Sequence, residues 1–472
     1  MKIKNILTKA IFICAAVCSV AFVSCEKSDV KSDNNHVNSW ILDTMKIYYF
    51  WNEQIPSNPN KEQAPNDFFY SILYKYNKLD GDRFSWIQEN YVDLLNGLSG
   101  VSSGDIGFEY TLYRYNSTSV FGEVIYVKPN TNAMAQGVKR GDAFLKIDGT
   151  AMDLSNYKSL LQKSSMNITF AEPVRAGNNI SFNNEKNISI TKAQYAENPV
   201  LFDSVYNESG KKIGYLVYNF FASDGGNNSA QYDKNLNAVF AKFKSAGIDN
   251  LIVDLRYNSG GSTLSATRLA SMIVKQLSTN NVFYILIYNN LLEQHYNLKP
   301  EKEKFVSKIN NENINNVGDN LQKVCFITSG LTASASEMVI SGITPFMNDK
   351  IIIVGDTTVG KSYASVSFYN KNDSRNKWGL QPLVARCTNG SGDEVPATGI
   401  IPQYVLNEGS IMPKKQIGDT NEDLLKAALA AISGQPTTQK LQKTITINNP
   451  IIGTSINKKA YSNQAVLSRI KN

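Results

Sequence analysis

Between residues 200 and 411 the chain alternates short, nearly all-apolar runs with amphipathic ones, and few folds absorb that pattern. NLIVDLRY (250–257), KVCFITS (323–329) and KIIIVGD (350–356) are the apolar runs. Strands of this kind have to be covered on both faces. Residues 232–246 (YDKNLNAVFAKFKSA) carry apolar positions at helical spacing and stop at Gly247, and 262–277 read as another helix. Strand alternating with helix implies a parallel sheet with helices on both sides, so the predicted class is α/β. Chemistry is then expected at the strand ends.

The 472 residues leave room for further units around this core (196–411). Residues 38–98 are aromatic and helical in pattern and hold Trp40, Trp51 and Trp86, which read as core side chains. Residues 99–195 turn to short alternating runs separated by Gly, Asn and Pro, a β-rich signature. There Asp148-Gly149 marks a hairpin turn. The string VKRGDAFLKIDGT resembles a PDZ domain, which binds an extended chain as an added strand. The stretch Gly104-Asp-Ile106-Gly107-Phe108 resembles the PDZ loop that holds a peptide carboxylate. Residues 412–472 carry one helix (423–432) and an Asn-, Thr- and Lys-rich tail, which reads either as an appended strand pair or as disorder.

Residues 1–24 have the layout of a secretory signal, with Lys2, Lys4 and Lys9 ahead of an apolar stretch too short to span a bilayer. The ending Phe22-Val23-Ser24-Cys25 resembles a bacterial lipoprotein signal, with Phe22 where Leu is usual. The expectation is a chain acylated at Cys25, tethered by polar residues 25–37 and held on the membrane in the cell envelope. Lys and Arg are spread without a long run, so no nucleic-acid partner is expected. No metal-ligand cluster or cofactor motif stands out, and Cys325 reads as a buried thiol. His36 falls in the predicted tether and His295 in a polar insert, and the chain has only these 2 His. Histidine-based triads therefore have almost no material.

Gly355–Ser362 (GDTTVGKS) satisfies the phosphate-loop pattern and follows a strand. That loop must open a helix, whereas SYASVSFYN alternates like a strand. Lys361 has a second reading. Upstream, Thr328–Glu337 (TSGLTASASE) runs from a buried strand into a helix, which places Ser336 near a helix N-terminus, where developing negative charge is favoured. A serine needs a base, and a desolvated lysine whose pKa falls from about 10.4 to roughly 7–8 can supply it. The Gly260-Gly261 turn after Asp254-Leu-Arg-Tyr-Asn-Ser lets backbone N–H groups approach a substrate oxygen.

Together DLRYNSGGS, TASASE, TTVGKS and GIIPQY (399–404) resemble the carboxy-terminal processing peptidase family, over most of residues 38–411. The resemblance implies a crotonase-like α/β core with a PDZ domain and a helical N-terminal domain. It also implies a Ser336 nucleophile, a Lys361 base 25 residues later, and an oxyanion hole from backbone N–H groups of Gly260, Gly261 and Glu337. Protein or peptide substrates follow, presented by the PDZ domain, with no cofactor. Family members often carry Gln four residues after the lysine; here Ser365 stands there. The alternative is a non-catalytic, PDZ-containing lipoprotein that binds peptides or scaffolds an envelope complex.

Overall fold

The computed structural model describes residues 33–176, 179–434, 450–456 and 464–467; the expected signal segment and Cys25 lie outside them. The chain divides into two compact units.

The first unit gathers residues up to Tyr91 with 289–297 and 367–384. A helix spans residues 33–48 and a second spans Pro65–Ser71. The strand Trp86–Gln88 pairs antiparallel with Gly379–Gln381, which pairs in turn with Phe368–Tyr369. Ile41, Met45, Tyr49, Phe68, Phe69, Ile72 and Leu380 form the core, with Trp40 and Trp51 packed at its margin. Two sequence expectations change here. Segments 289–297 and 367–384 leave the α/β core: the strands and Leu380 of the second complete this unit's sheet and core, and the Asn289 amide of the first donates to the Ile47 and Tyr49 carbonyls. The predicted tether also ends early. Val37 is buried, extending the stripe Ile41 and Met45 by one turn, and the His36 ring bonds the Asp373 carboxylate.

In the second unit, six strands form the central sheet. Val200–Glu208 pairs antiparallel with Lys211–Tyr218. The strands Lys211–Tyr218, Asn250–Asp254, Lys323–Thr328, Ile351–Gly355 and Tyr404–Val405 then run parallel. The sheet is thus parallel with one antiparallel edge. The helix Gln231–Ala246 ends at Gly247, whose φ of 64° continues as a left-handed cap. Helix Asp423–Ser433 is part of this core rather than an appendage: Leu424, Leu425, Ala428 and Leu429 pack on Tyr215, Ile252, Cys325 and Val354. Cys325 and Cys387 are both buried and free.

Residues 101–196 fold as a β-rich lobe. Its sheet contains Phe108–Arg114, Val120–Val127, Ala143–Ile147, Ser165–Ala176 and Asn179–Thr191. Asp148 and Gly149 both have positive φ, as a two-residue hairpin turn of this hand requires. The expected carboxylate loop is already engaged internally. The Gly107 N–H donates to Asp105 Oδ1 at 2.7 Å, Asp105 pairs with buried Lys128, and Phe108 is lobe core. Gly104 is exposed, and Ile106 packs partly against that core.

A buried ion cluster joins this lobe to the central sheet. Arg256 pairs with Asp254 at 2.6 Å, Glu408 at 2.8 Å and Glu422 at 2.7 Å. Arg140, from the VKRGD string, reaches Glu408 at 2.6 Å and bonds Tyr257. Burial alone would raise the Glu408 carboxyl, but Arg140, Arg256 and Lys414 hold it far below its ordinary 4.5. Burial likewise opposes, and Arg256 and Arg140 overcome, at Glu422. Depressed carboxylates stabilise the folded state fully above their unfolded pKa and lose that contribution as pH falls below it. Urea midpoints are therefore expected to hold from about pH 7 to about pH 5 and to drop below. The drop should be shallower in Glu408→Gln; equal slopes in both proteins would remove Glu408 from the acid transition.

Candidate active site

Three segments meet at the carboxyl ends of the parallel strands. The first is the helix Ala335–Met347, which follows the strand Lys323–Thr328. Ser334, just ahead of it, is held at φ 62°, a strained setting for a residue with a side chain. Ser336 lies inside the first turn, fully buried, and is not the N-cap. Its Oγ donates to the Asn258 carbonyl oxygen at 3.0 Å.

The second segment is the turn after Asn250–Asp254. Asn258 fixes it from several directions: its carbonyl accepts from Ala333 N–H at 3.2 Å, and its side-chain amide donates to the Tyr218 carbonyl at 2.9 Å. Its Oδ1 accepts the Gly260 N–H at 3.0 Å. In this arrangement Gly260 is therefore not the free oxyanion donor that the sequence reading assigned to it. Asn258 itself escaped that reading, since a single Asn in a turn carries no distinguishing signal. Gly260 and Gly261 sit at φ 115° and 130°. A Cβ at Gly261 would come within 2.1 Å of the Phe221 carbonyl oxygen. Gly261→Ala is expected to cost about 1–3 kcal/mol in denaturant unfolding, from backbone strain. An unchanged midpoint would show that the turn can relax.

The third segment, residues 356–362, follows the strand Ile351–Gly355 and leads into the strand Tyr363–Ser365. A strand where a phosphate loop needs a helix removes the nucleotide reading. Lys361 is buried. With Ser334, Met338, Gly342, Tyr363 and Cys387 it lines a small cavity of about 20 Å³. Burial pushes the Cys387 thiol up to about 12, against the opposing pull of the Lys361 charge nearby.

Glu337 binds the first and third segments together. Its Oε1 accepts from Gly360 N–H at 2.7 Å and from Thr358 Oγ1 at 2.5 Å. Its Oε2 accepts from Lys361 N–H at 2.9 Å and Ser334 N–H at 2.7 Å. Burial raises the Glu337 carboxyl, and these four donors pull the other way. The residue beside Ser336 thus grips the backbone of Lys361. The sequence reading gave Glu337 only a backbone role. The signal for its side chain was available: Ser334-Ala-Ser-Glu337 has the spacing of a capping box, and the glutamate half of it forms, with Glu337 reaching back to the Ser334 N–H. Ser365 is buried in the strand after the lysine, and His295 is exposed at the end of the helix Asn290–His295.

Comparison with known proteins bears on this arrangement. The family model for the peptidase S41 N-terminal domain matches residues 36–86, and that for peptidase family S41 matches residues 212–406. The chloroplastic C-terminal processing peptidase of Tetradesmus obliquus is 23% identical over 329 residues, 66% of this chain. The matched region spans 62% of that relative's length. The crystal structure of a protein assigned as an S41 protease from Bacteroides fragilis is 27% identical, with a TM-score of 0.71 over 84% of this chain and 97% of that one.

Proposed function

The chain belongs to peptidase family S41, the carboxy-terminal processing peptidases, and from that membership we propose that it is a serine endopeptidase working through Ser336 and Lys361. The observation that carries this reading is the Glu337 clamp. It ties the backbone of Lys361 to the first turn of the Ser336 helix although the two lie 25 residues apart in sequence. As a neutral amine, Lys361 takes the Ser336 proton while Oγ attacks a peptide carbonyl. N–H groups at the start of the Ser336 helix and at Gly261 face the developing oxyanion. Lys361 returns the proton to the leaving amine, and water releases the acyl group. Ser365 stands in for the glutamine that orients the lysine in relatives. The β-lobe acts as a PDZ-type module for extended peptide, and acylated Cys25 holds the chain on the cell envelope.

The experiment is labelling with a fluorophosphonate, alongside cleavage of an unfolded protein. One label on the peptide carrying Ser336, together with cleavage, is expected. Neither label nor cleavage, in the full chain and in a chain ending at Asn449, would overturn the protease reading and leave the peptide-binding one. For the anchor, Cys25→Ser is expected to move the protein from the membrane to the soluble fraction.

A further inference from the structure

Two short stretches late in the sequence lie on strand edges where an extended peptide would add. Ile451–Thr454 pairs antiparallel with Phe108–Arg114, the strand that leaves the Gly104–Phe108 loop. Its register, Ile451 opposite Tyr113 and Thr454 opposite Thr111, carries it toward that loop. The ladder continues at Ser455, whose N–H donates to the Tyr110 carbonyl at 3.0 Å. Ile452 packs against the lobe core, as Ile106 and Tyr157 do, and Ile456 is buried in a cluster with Tyr126 and Tyr257. A backbone ladder with alternate side chains in pockets is how strand-adding modules hold their ligands.

Gln464–Val466 makes the same kind of contact at the catalytic elements. It runs parallel to Gly260–Ser262 on one side, and Val466 pairs with Ser365 on the other. The Leu467 N–H donates to the Ser365 carbonyl at 2.9 Å. One flank carries Gly261, the proposed oxyanion donor, and the other begins two residues after Lys361. Neighbouring strands lie about 4.8 Å apart, so flanks on either side of one strand are about 9.6 Å apart, room for one extended chain. Val466 and buried Leu467 also line a cavity of about 390 Å³ with Ala222, Ser223, Leu264 and Arg268.

We infer that residues 450–456 and 464–467 are intramolecular occupants of the substrate path, filling the PDZ-type edge and the catalytic strand position together. The inference rests on the protease reading of the cleft. It assigns substrates a form: an unfolded polypeptide bound extended, parallel to Gly260–Ser262. Recognition is mostly through the backbone, with aliphatic side chains such as Ile452, Ile456 and Leu467 in the flanking pockets. An occupant on the same chain competes at an effective concentration in the millimolar range, so incoming peptide binds weaker by the fraction of molecules left open.

The test uses Ser336→Ala proteins, so that binding is read without turnover. A fluorescent peptide of residues 450–467 is titrated into the full chain and into the chain ending at Asn449. Binding about tenfold or more tighter to the shortened chain is expected. In the Ser336 forms, shortening should lower KM for an unfolded protein, and the peptide should then inhibit competitively. Equal binding to both chains, or binding to neither, overturns the inference. If the shortened chain fails to fold, Leu467→Pro in the full chain removes the donor to Ser365 together with the buried leucine side chain, and so loosens this contact while leaving the rest of the chain in place. It should lower KM, and an unchanged KM in an active enzyme overturns the inference equally. Loss of all cleavage with peptide binding intact would instead count against the protease reading.

Discussion

Ser336→Ala is expected to lower kcat/KM by at least ~10³-fold while leaving the fold intact. The geometry separates the two effects. Ser336 Oγ is the donor to the Asn258 carbonyl, which still accepts from Ala333 N–H when the hydroxyl is gone. No buried acceptor is orphaned, so the stability cost should stay within about 1 kcal/mol. Lys361→Met keeps much of the side-chain volume in its buried site but removes the amine. It should match the serine variant in rate loss, and the double variant should be no worse, because a nucleophile and its base act as a unit. Rates measured for the four proteins with an unfolded substrate check this. Full activity in Lys361→Met would end the dyad, and additive losses would mean that the two residues act in separate steps.

Arg256→Met is expected to show the opposite profile, a large loss of stability from a residue that takes no part in the chemistry. Arg256 is surrounded by Asp254, Glu408 and Glu422, all buried. Deleting one partner of a buried ion cluster leaves uncompensated charge and costs about 3–5 kcal/mol. Here Arg140 still reaches Glu408 and Glu422, at 2.6 and 3.4 Å, but Asp254 loses its cation and keeps the Tyr215 hydroxyl, at 2.8 Å, and the backbone N–H of residue 256, at 3.2 Å. Chemical denaturation of Arg256→Met should show the full penalty. A change below about 1 kcal/mol would mean that the cluster contributes specificity rather than stability.

The aspartate and arginine of DLRYNSGGS are thus read differently in three dimensions than in one. In sequence they stand a few residues before the Gly260-Gly261 turn. In the fold Asp254 ends a strand in the sheet and anchors Arg256, which joins Arg140 of the β-lobe through Glu408. Of this string it is Asn258 that meets Ser336, through its carbonyl. Glu337 shows the same limit: the capping-box spacing is local, but the contacts to Gly360 and Lys361 are not.

By itself the sequence determined the α/β class and the alternation of strands and helices in the core, and it singled out Ser336 and Lys361 as the pair to test. These follow from patterns of period two and 3.6 and from motifs a few residues long, which local physics specifies. Only the tertiary structure decided that Gly260 spends its N–H on Asn258, that segments 289–297 and 367–384 complete the aromatic unit, and that residues 451–454 and 464–467 lie on two strand edges. Strand pairing between distant segments depends on which edge the rest of the fold leaves open. A run such as Asn-Gln-Ala-Val-Leu has no periodicity that names its partner.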